Sequence, residues 1–171
     1  MNHREYKFCP VCGGNLVFKK EHGIFRQVCS KCEFIFYHNP TPAVGVVVLQ
    51  DHSVLMVKRK FEPRAGDWNL PAGFMELNES PQETAIREAK EETNLDVKLG
   101  SFIGAWTAKD DPRNQVLVLF YHGEIISGKL QAGDDASEAQ FFPLDNLPRN
   151  IAFKTHIKAL GIIKSELRSA T

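Results

Sequence analysis

Gly73-Phe74-Met75-Glu76-Leu77-Asn78-Glu79-Ser80-Pro81-Gln82-Glu83-Thr84-Ala85-Ile86-Arg87-Glu88-Ala89-Lys90-Glu91-Glu92-Thr93-Asn94-Leu95 is the stretch on which the fold turns. It opens as a turn and becomes a helix with readable ends. Ser80 fits the N-cap, Pro81 the first helical position, and Glu83 closes a reciprocal capping box. Asn94 suits a left-handed residue past the last turn, with Leu95 folding back over it. At about 100° per residue, Glu88, Glu91 and Glu92 fall within an arc of roughly 100°, while Ile86, Ala89 and Thr93 gather on another side that can pack on a sheet. Acids at these spacings repel one another, and near a helix C-terminus they also face the negative end of its dipole. One reading is a solvated acidic face relieved by Arg87 and Lys90. The other is a site for a hard divalent cation such as Mg²⁺, which needs clustered carboxylate oxygens. The preceding Pro71-Ala72-Gly73 turn and two further acids, Glu76 and Glu79, favour the second.

The order Gly73, five residues, Glu79, seven residues, then Arg87 to Leu95 resembles the Nudix box. Two positions depart from that pattern: Asn94 stands where the family has glycine, and Ala89 where it has a larger aliphatic residue. Asparagine tolerates the left-handed conformation, so the cap geometry is expected to survive. The resemblance extends to Val57-Lys58-Arg59, to Gly66 through Phe74 and to Phe142 through Pro148, and so covers nearly all of residues 40–150. It implies an α/β/α sandwich with a mixed sheet and a metal-assisted hydrolase of nucleoside diphosphate derivatives. Carried over by position, Glu88 and Glu92 would hold Mg²⁺ or Mn²⁺ together with the backbone carbonyl of Ala72, and Glu91 would bind a second ion or support the first. Arg87 would orient the glutamates through Glu79. A further acid from Gly133-Asp134-Asp135-Ala136-Ser137-Glu138 is expected to assist, Glu138 first and Asp135 in reserve, although this loop also reads as a plain acidic turn.

Outward from the box the chain alternates between strands and helices. Ala43–Leu49 is β-branched and apolar, as a strand buried on both faces should be. Ser53–Arg59 returns after a turn at Gln50-Asp51-His52, and later strands are predicted around 99–106, 115–125 and 139–142. A last helix gathers Ala152, His156, Ala159, Leu160, Ile163 and Leu167 on one face, beside Phe153. Mixed strands flanked by two helices give an α/β layered fold.

All four cysteines lie near the N-terminus as two Cys-x-x-Cys pairs, Cys9/Cys12 and Cys29/Cys32, sixteen residues apart. That is four-thiolate zinc-site spacing, with iron as the other metal such a cage takes. Asn15–Lys19 and Ile24–Val28 read as a hairpin, too poor in apolar residues to fold without a staple. A zinc-ribbon β domain over residues 1–38 and a Nudix domain over 39–171 are therefore expected, with the boundary at His38-Asn39-Pro40-Thr41-Pro42. The ribbon carries six Lys/Arg against three acids, an excess too small to argue for nucleic acid. Over all 171 residues, 21 Lys/Arg balance 21 Asp/Glu, which argues against binding nucleic acid by bulk charge. The N-terminus lacks an apolar signal stretch and no run approaches the roughly 20 residues that span a bilayer, so a cytoplasmic protein is the expectation.

A ribbon before a Nudix domain resembles two groups. NADH pyrophosphatases carry a Ser-Gln-Pro-Trp-Pro-Phe-Pro array downstream of the box, where this chain has Trp106-Thr107-Ala108-Lys109-Asp110-Asp111-Pro112. The chain looks more like the short ribbon-Nudix hydrolases related to ADP-ribose and FAD pyrophosphatases. Pro112, seventeen residues after Leu95, is a weak cue toward ADP-ribose. Trp106, Tyr121 and Phe153 are candidate stacking partners for a base, and Arg59 and Arg64 candidate phosphate contacts; Trp68 reads as packing. Two other readings stand beside this one: a non-catalytic nucleotide sensor or binding module, and a hydrolase of damaged nucleoside triphosphates. Family members commonly pair, so the resemblance also implies a homodimer.

Overall fold

The computed structural model describes residues 5–110 and 115–169; Pro112 lies outside them. The chain divides into two compact units between Asn39 and Pro40, one residue past the expected boundary. In the first unit β1 (Leu16–Glu21), β2 (Ile24–Cys29) and β3 (Ile35–Phe36) form an antiparallel sheet in that order. β3 was not foreseen, since two residues are too few to show a period.

The second unit contains β4 (Thr41–Gln50), β5 (Ser53–Arg59), β6 (Trp68–Asn69), β7 (Ala72–Phe74), α1 (Pro81–Thr93), β8 (Leu95–Ala108), β9 (Val116–Gly128), β10 (Ala136–Pro143) and α2 (Lys154–Ser169). The main path of its sheet runs β10-β5-β4-β9-β8. Only the β4–β9 pairing on that path is parallel, so the sheet is mixed. β4 and β5 meet across Asp51-His52, whose positive φ values (45° and 60°) match the twist of a tight hairpin. They pair only at that turn, through Leu49–Val54 and Gln50–Ser53. Farther along, β6 pairs with β5 and β7 with β4, so the segment before α1 fills the opening between two diverging strands.

Strand alternation sorts the core into two faces. Val44, Val46, Val48 and Leu55 pack with Ala85 and Ala89 of α1, whereas Ala43, Val47, Val54 and Met56 pack with Ala159, Leu160 and Ile163 of α2. The result is the expected α/β/α layering. The ends of α1 are also as expected: the Ser80–Glu83 capping box is formed, and Asn94 is left-handed with φ 58°. Its packing face includes the expected Ala89 and Thr93 but not Ile86. Ile86 is exposed, and Thr84, Ala85, Glu88, Ala89, Glu92 and Thr93 are the buried residues. Two alanines let the helix lie close to β4, which turns Glu88 and Glu92 inward rather than onto a separate solvated arc. No helix among the described residues is long and apolar enough to cross a membrane.

Candidate active site

A cleft of about 510 Å³ opens beside α1 and β7. Its lining brings together Ala72, Arg87, Glu88, Glu91, Glu92, Arg59 and Phe153 from the expected set. Glu79 joins through Arg87, whose guanidinium organises the acids. Its Nε donates to Glu79 Oε1 at 2.6 Å, and Nη1 donates to Glu88 Oε1 at 2.7 Å and to Glu91 Oε2 at 2.8 Å. Nη2 donates to the Phe74 carbonyl at 2.9 Å, tying the helix to β7. Hydrogen bonds from Arg87 hold the Glu79 carboxyl down at about 2.

Glu88 and Glu92 are in the opposite condition. Burial raises both, and in Glu92 it is reinforced by the neighbouring Glu88 charge. Glu92 is 4% exposed, accepts a hydrogen bond from the Ala72 amide at 3.0 Å, and has no cation in ion-pair range among the described residues. Gly73 has no space for a Cβ, because the Glu88 carboxylate fills it. The chemistry of these donors, hard oxygens under mutual repulsion, fits a divalent cation. They line one cleft without being gathered as tightly as a closed cage, since Arg87 and the Ala72 amide hold them.

Four expected residues lie elsewhere. Glu138 is on β10, where the pairing with β5 sets it against Lys58, and it forms a 2.8 Å ion pair there. Asp134 and Asp135 line the cleft in its place. Their loop is sewn to the end of α1, with the Gln131 amide donating to Thr93 O at 3.0 Å and the Gly133 amide to Glu92 O at 3.2 Å. Trp106 packs near Phe120 and lines a separate groove with α2, and Tyr121 packs with Phe102 in the α1-side core. Arg64 is outside the cleft lining; its left-handed backbone lets its amide donate to Glu62 at 2.8 Å. Trp68 packs edge-on against Phe142.

Arg59 and Phe153 meet in the cleft, with the guanidinium 5.2 Å from the ring centre. Asn69, Thr155 and His156 also line it, though nothing in their spacing marked them for a site. His156 is fully enclosed, and burial, then the nearby Arg59 charge, depresses its imidazole to about 3. Its Nδ1 accepts the Leu70 amide at 3.1 Å.

In the first unit the cysteines are free thiols, and one sulfur from each lies within 4.8 Å of all the others. The Cys9–Cys32 and Cys12–Cys29 sulfurs are 3.7 and 3.5 Å apart. A tetrahedron with metal–sulfur bonds of about 2.3 Å has edges of roughly 3.8 Å, so the cage fits an ion of zinc's size. Amides of Lys31 and Cys32 lower Cys29 to about 6. The Phe34 amide lowers Cys32 too, but its neighbouring sulfurs, led by Cys12, and burial outweigh it and push that thiol up to about 12. Four sulfurs this close can share one cation.

The NUDIX domain model matches residues 39–160. The chain belongs to the Nudix family. This Nudix chain is 42% identical over 137 residues to an ADP-ribose pyrophosphatase of Methanocaldococcus jannaschii, covering 80% of the chain and 78% of that relative. It is 31% identical over 147 residues to an NAD-capped RNA hydrolase, NudC, of Pseudomonas aeruginosa, covering 85% of the chain but spanning half the length of that relative. Among solved structures, a NUDIX hydrolase from Nitrosomonas europaea superposes with a TM-score of 0.81 at 31% identity, over 91% of this chain and 88% of that one.

Proposed function

We propose that the unit following Asn39 hydrolyses the diphosphate bond of a nucleoside diphosphate joined to a second group, of ADP-ribose or FAD type, giving AMP and a phosphorylated partner. The observation that carries this reading is Glu92, a carboxylate enclosed beside Glu88 that forms no ion pair among the described residues. In the proposal Glu88, Glu91 and Glu92, with the Ala72 carbonyl, hold Mg²⁺ or Mn²⁺. Such an ion neutralises a diphosphate and acidifies a water.

The protein's own groups do the rest. Arg87 fixes two of the glutamates and, through Glu79 and Phe74, the turn that carries Gly73. Asp134 and Asp135 flank the acids and take the expected role of Glu138, accepting the proton as a water oxygen bonds to phosphorus and the bridging P–O bond breaks. Arg59 binds phosphate, and Phe153 stacks on the base. The cysteine cage holds a structural zinc, and its free thiols suit a reducing compartment such as the cytoplasm.

The 42% identity to an ADP-ribose pyrophosphatase supports the choice of substrate class. The test offers ADP-ribose, FAD, NADH, NAD-capped RNA and nucleoside triphosphates with Mg²⁺ or Mn²⁺ and separates the products by chromatography. AMP with ribose 5-phosphate from ADP-ribose is expected. Release of inorganic pyrophosphate from triphosphates as the dominant activity, or turnover confined to capped RNA, would overturn the assignment.

A further inference from the structure

The wall of the cleft built by β6 and the start of α2 differs in chemistry from the acidic wall. Asn69 and Thr155 are each 2% exposed, and both line the cleft. Among the described residues, Asn69 Oδ1 and Thr155 Oγ1 are the two enclosed side-chain polar atoms without a hydrogen-bond partner. Buried polar atoms are rarely left unmatched, because desolvation is then uncompensated. Here both unmatched atoms belong to residues that line one ligand-sized cleft.

Their surroundings limit what can satisfy them. One N–H of the Asn69 amide donates to Leu70 O at 2.9 Å, which fixes the orientation of the amide and leaves Oδ1 as the unmatched atom, one that reads a donor. The Thr155 hydroxyl can donate or accept. His156 takes the Leu70 amide on Nδ1, which leaves its proton on Nε2 and adds no positive charge. Phe153 sits 5.7 Å from the His156 ring with the Arg59 guanidinium over it, a surface for a flat heterocycle.

We propose that Asn69 Oδ1 and Thr155 Oγ1 form a base-reading subsite for the amino-bearing edge of adenine, with the ring laid against Phe153. The exocyclic amine meets the amide oxygen, and the adjacent ring nitrogen meets the hydroxyl. Hypoxanthine has the same size but sets a carbonyl against Asn69 Oδ1, acceptor to acceptor, so it is rejected. The inference rests on the diphosphate-hydrolase reading for its substrate class and deepens it by naming how the base is selected.

The test reads binding without turnover. Calorimetry on the full chain compares AMP, IMP and ribose 5-phosphate for the natural protein, Asn69→Ala and Thr155→Val. The natural protein should favour AMP over IMP by at least about tenfold, the worth of one well-made hydrogen bond against an unmet one. Asn69→Ala should bring that ratio close to one. Thr155→Val, nearly isosteric, should weaken AMP by about tenfold and leave ribose 5-phosphate unchanged. Equal affinity for AMP and IMP, failure to bind AMP, an unchanged ratio in folded Asn69→Ala or unchanged AMP affinity in Thr155→Val would each overturn the subsite. A protein that binds AMP selectively yet hydrolyses no diphosphate would instead remove the hydrolase reading and leave the subsite standing.

Discussion

Gly73 lies against the Glu88 carboxylate with no room for a methyl group between them. The constraint is one of space, since Gly73 is not among the left-handed residues. Gly73→Ala should displace Glu88 and lower kcat by about 100-fold, as misplacement by an ångström does elsewhere. Far-UV circular dichroism should stay native. Turnover within threefold of the natural protein would show that the acid tolerates the shift.

Glu92→Gln keeps the shape and can still accept the Ala72 amide. It removes a charge that burial disfavours. The variant should lose at least ~100-fold in kcat, since a proposed metal ligand is gone, while its Tm without divalent metal should equal or exceed the natural value. A full rate at saturating Mg²⁺ would contradict the proposed role, and a lower Tm would contradict the electrostatic account.

Arg87 is the shared donor for Glu79, Glu88 and Glu91. Because it holds Glu79 at about 2, below its ordinary value, the pair adds stability that is present above about pH 4.5 and is lost as pH falls through about 2. Arg87→Lys cannot reproduce the planar fork. The variant should be less stable above about pH 4.5, so that its acid unfolding transition, followed by fluorescence, falls at higher pH, while its stability depends less on pH between about 4.5 and 2. An unchanged acid transition would show that the fork is not needed.

His156 is the second acid-sensitive point. Its folded value lies near 3, below the ordinary 6.5, so its contribution is complete above about pH 6.5 and falls as the unfolded chain takes the proton first. Between those values the slope for one group approaches about 1.4 kcal/mol per pH unit. Glu88 and Glu92 act in the opposite sense, because burial raises them. The difference in urea stability between the natural protein and His156→Gln, followed from pH 7.5 to 4, isolates the histidine. That difference should shrink as pH falls, and a constant difference would contradict the assignment.

The thiolate cage makes a separate prediction. Purified protein should carry about one zinc per chain, the ion that the four-sulfur geometry fits. Chelation should unfold β1–β3, read as lost amide protection there. Absence of both zinc and iron by elemental analysis would refute a structural metal.

What could be read in the chain was local. Ser80, Glu83 and Asn94 act on backbone within one turn of themselves, and all three do what their spacing predicts. On the packing face of α1, Ala89 and Thr93 are buried as expected, and Ile86, to which apolar character pointed, is not. The face is set instead by the close approach of Ala85 and Ala89 to β4, which carries Glu88 and Glu92 inward. Glu138 was misplaced for a reason of register: a bulge between Ala136 and Glu138 sets its pairing with Lys58, and no local pattern encodes a strand partner eighty positions away. Asn69 and Thr155 left no signal of their own, since their meaning lies in hydrogen bonds they do not make.

The divergence of β4 from β5 places acids from one helical layer and neutral polar groups from β6 and the other layer in a single slot. On the proposed reading, bond breaking and ligand choice thereby fall to different parts of the chain. Exchanging two or three side chains on the uncharged wall can redirect the scaffold to another nucleotide while the hydrolytic apparatus stays as it is, a modularity that suits a domain architecture shared by proteins with differing appetites.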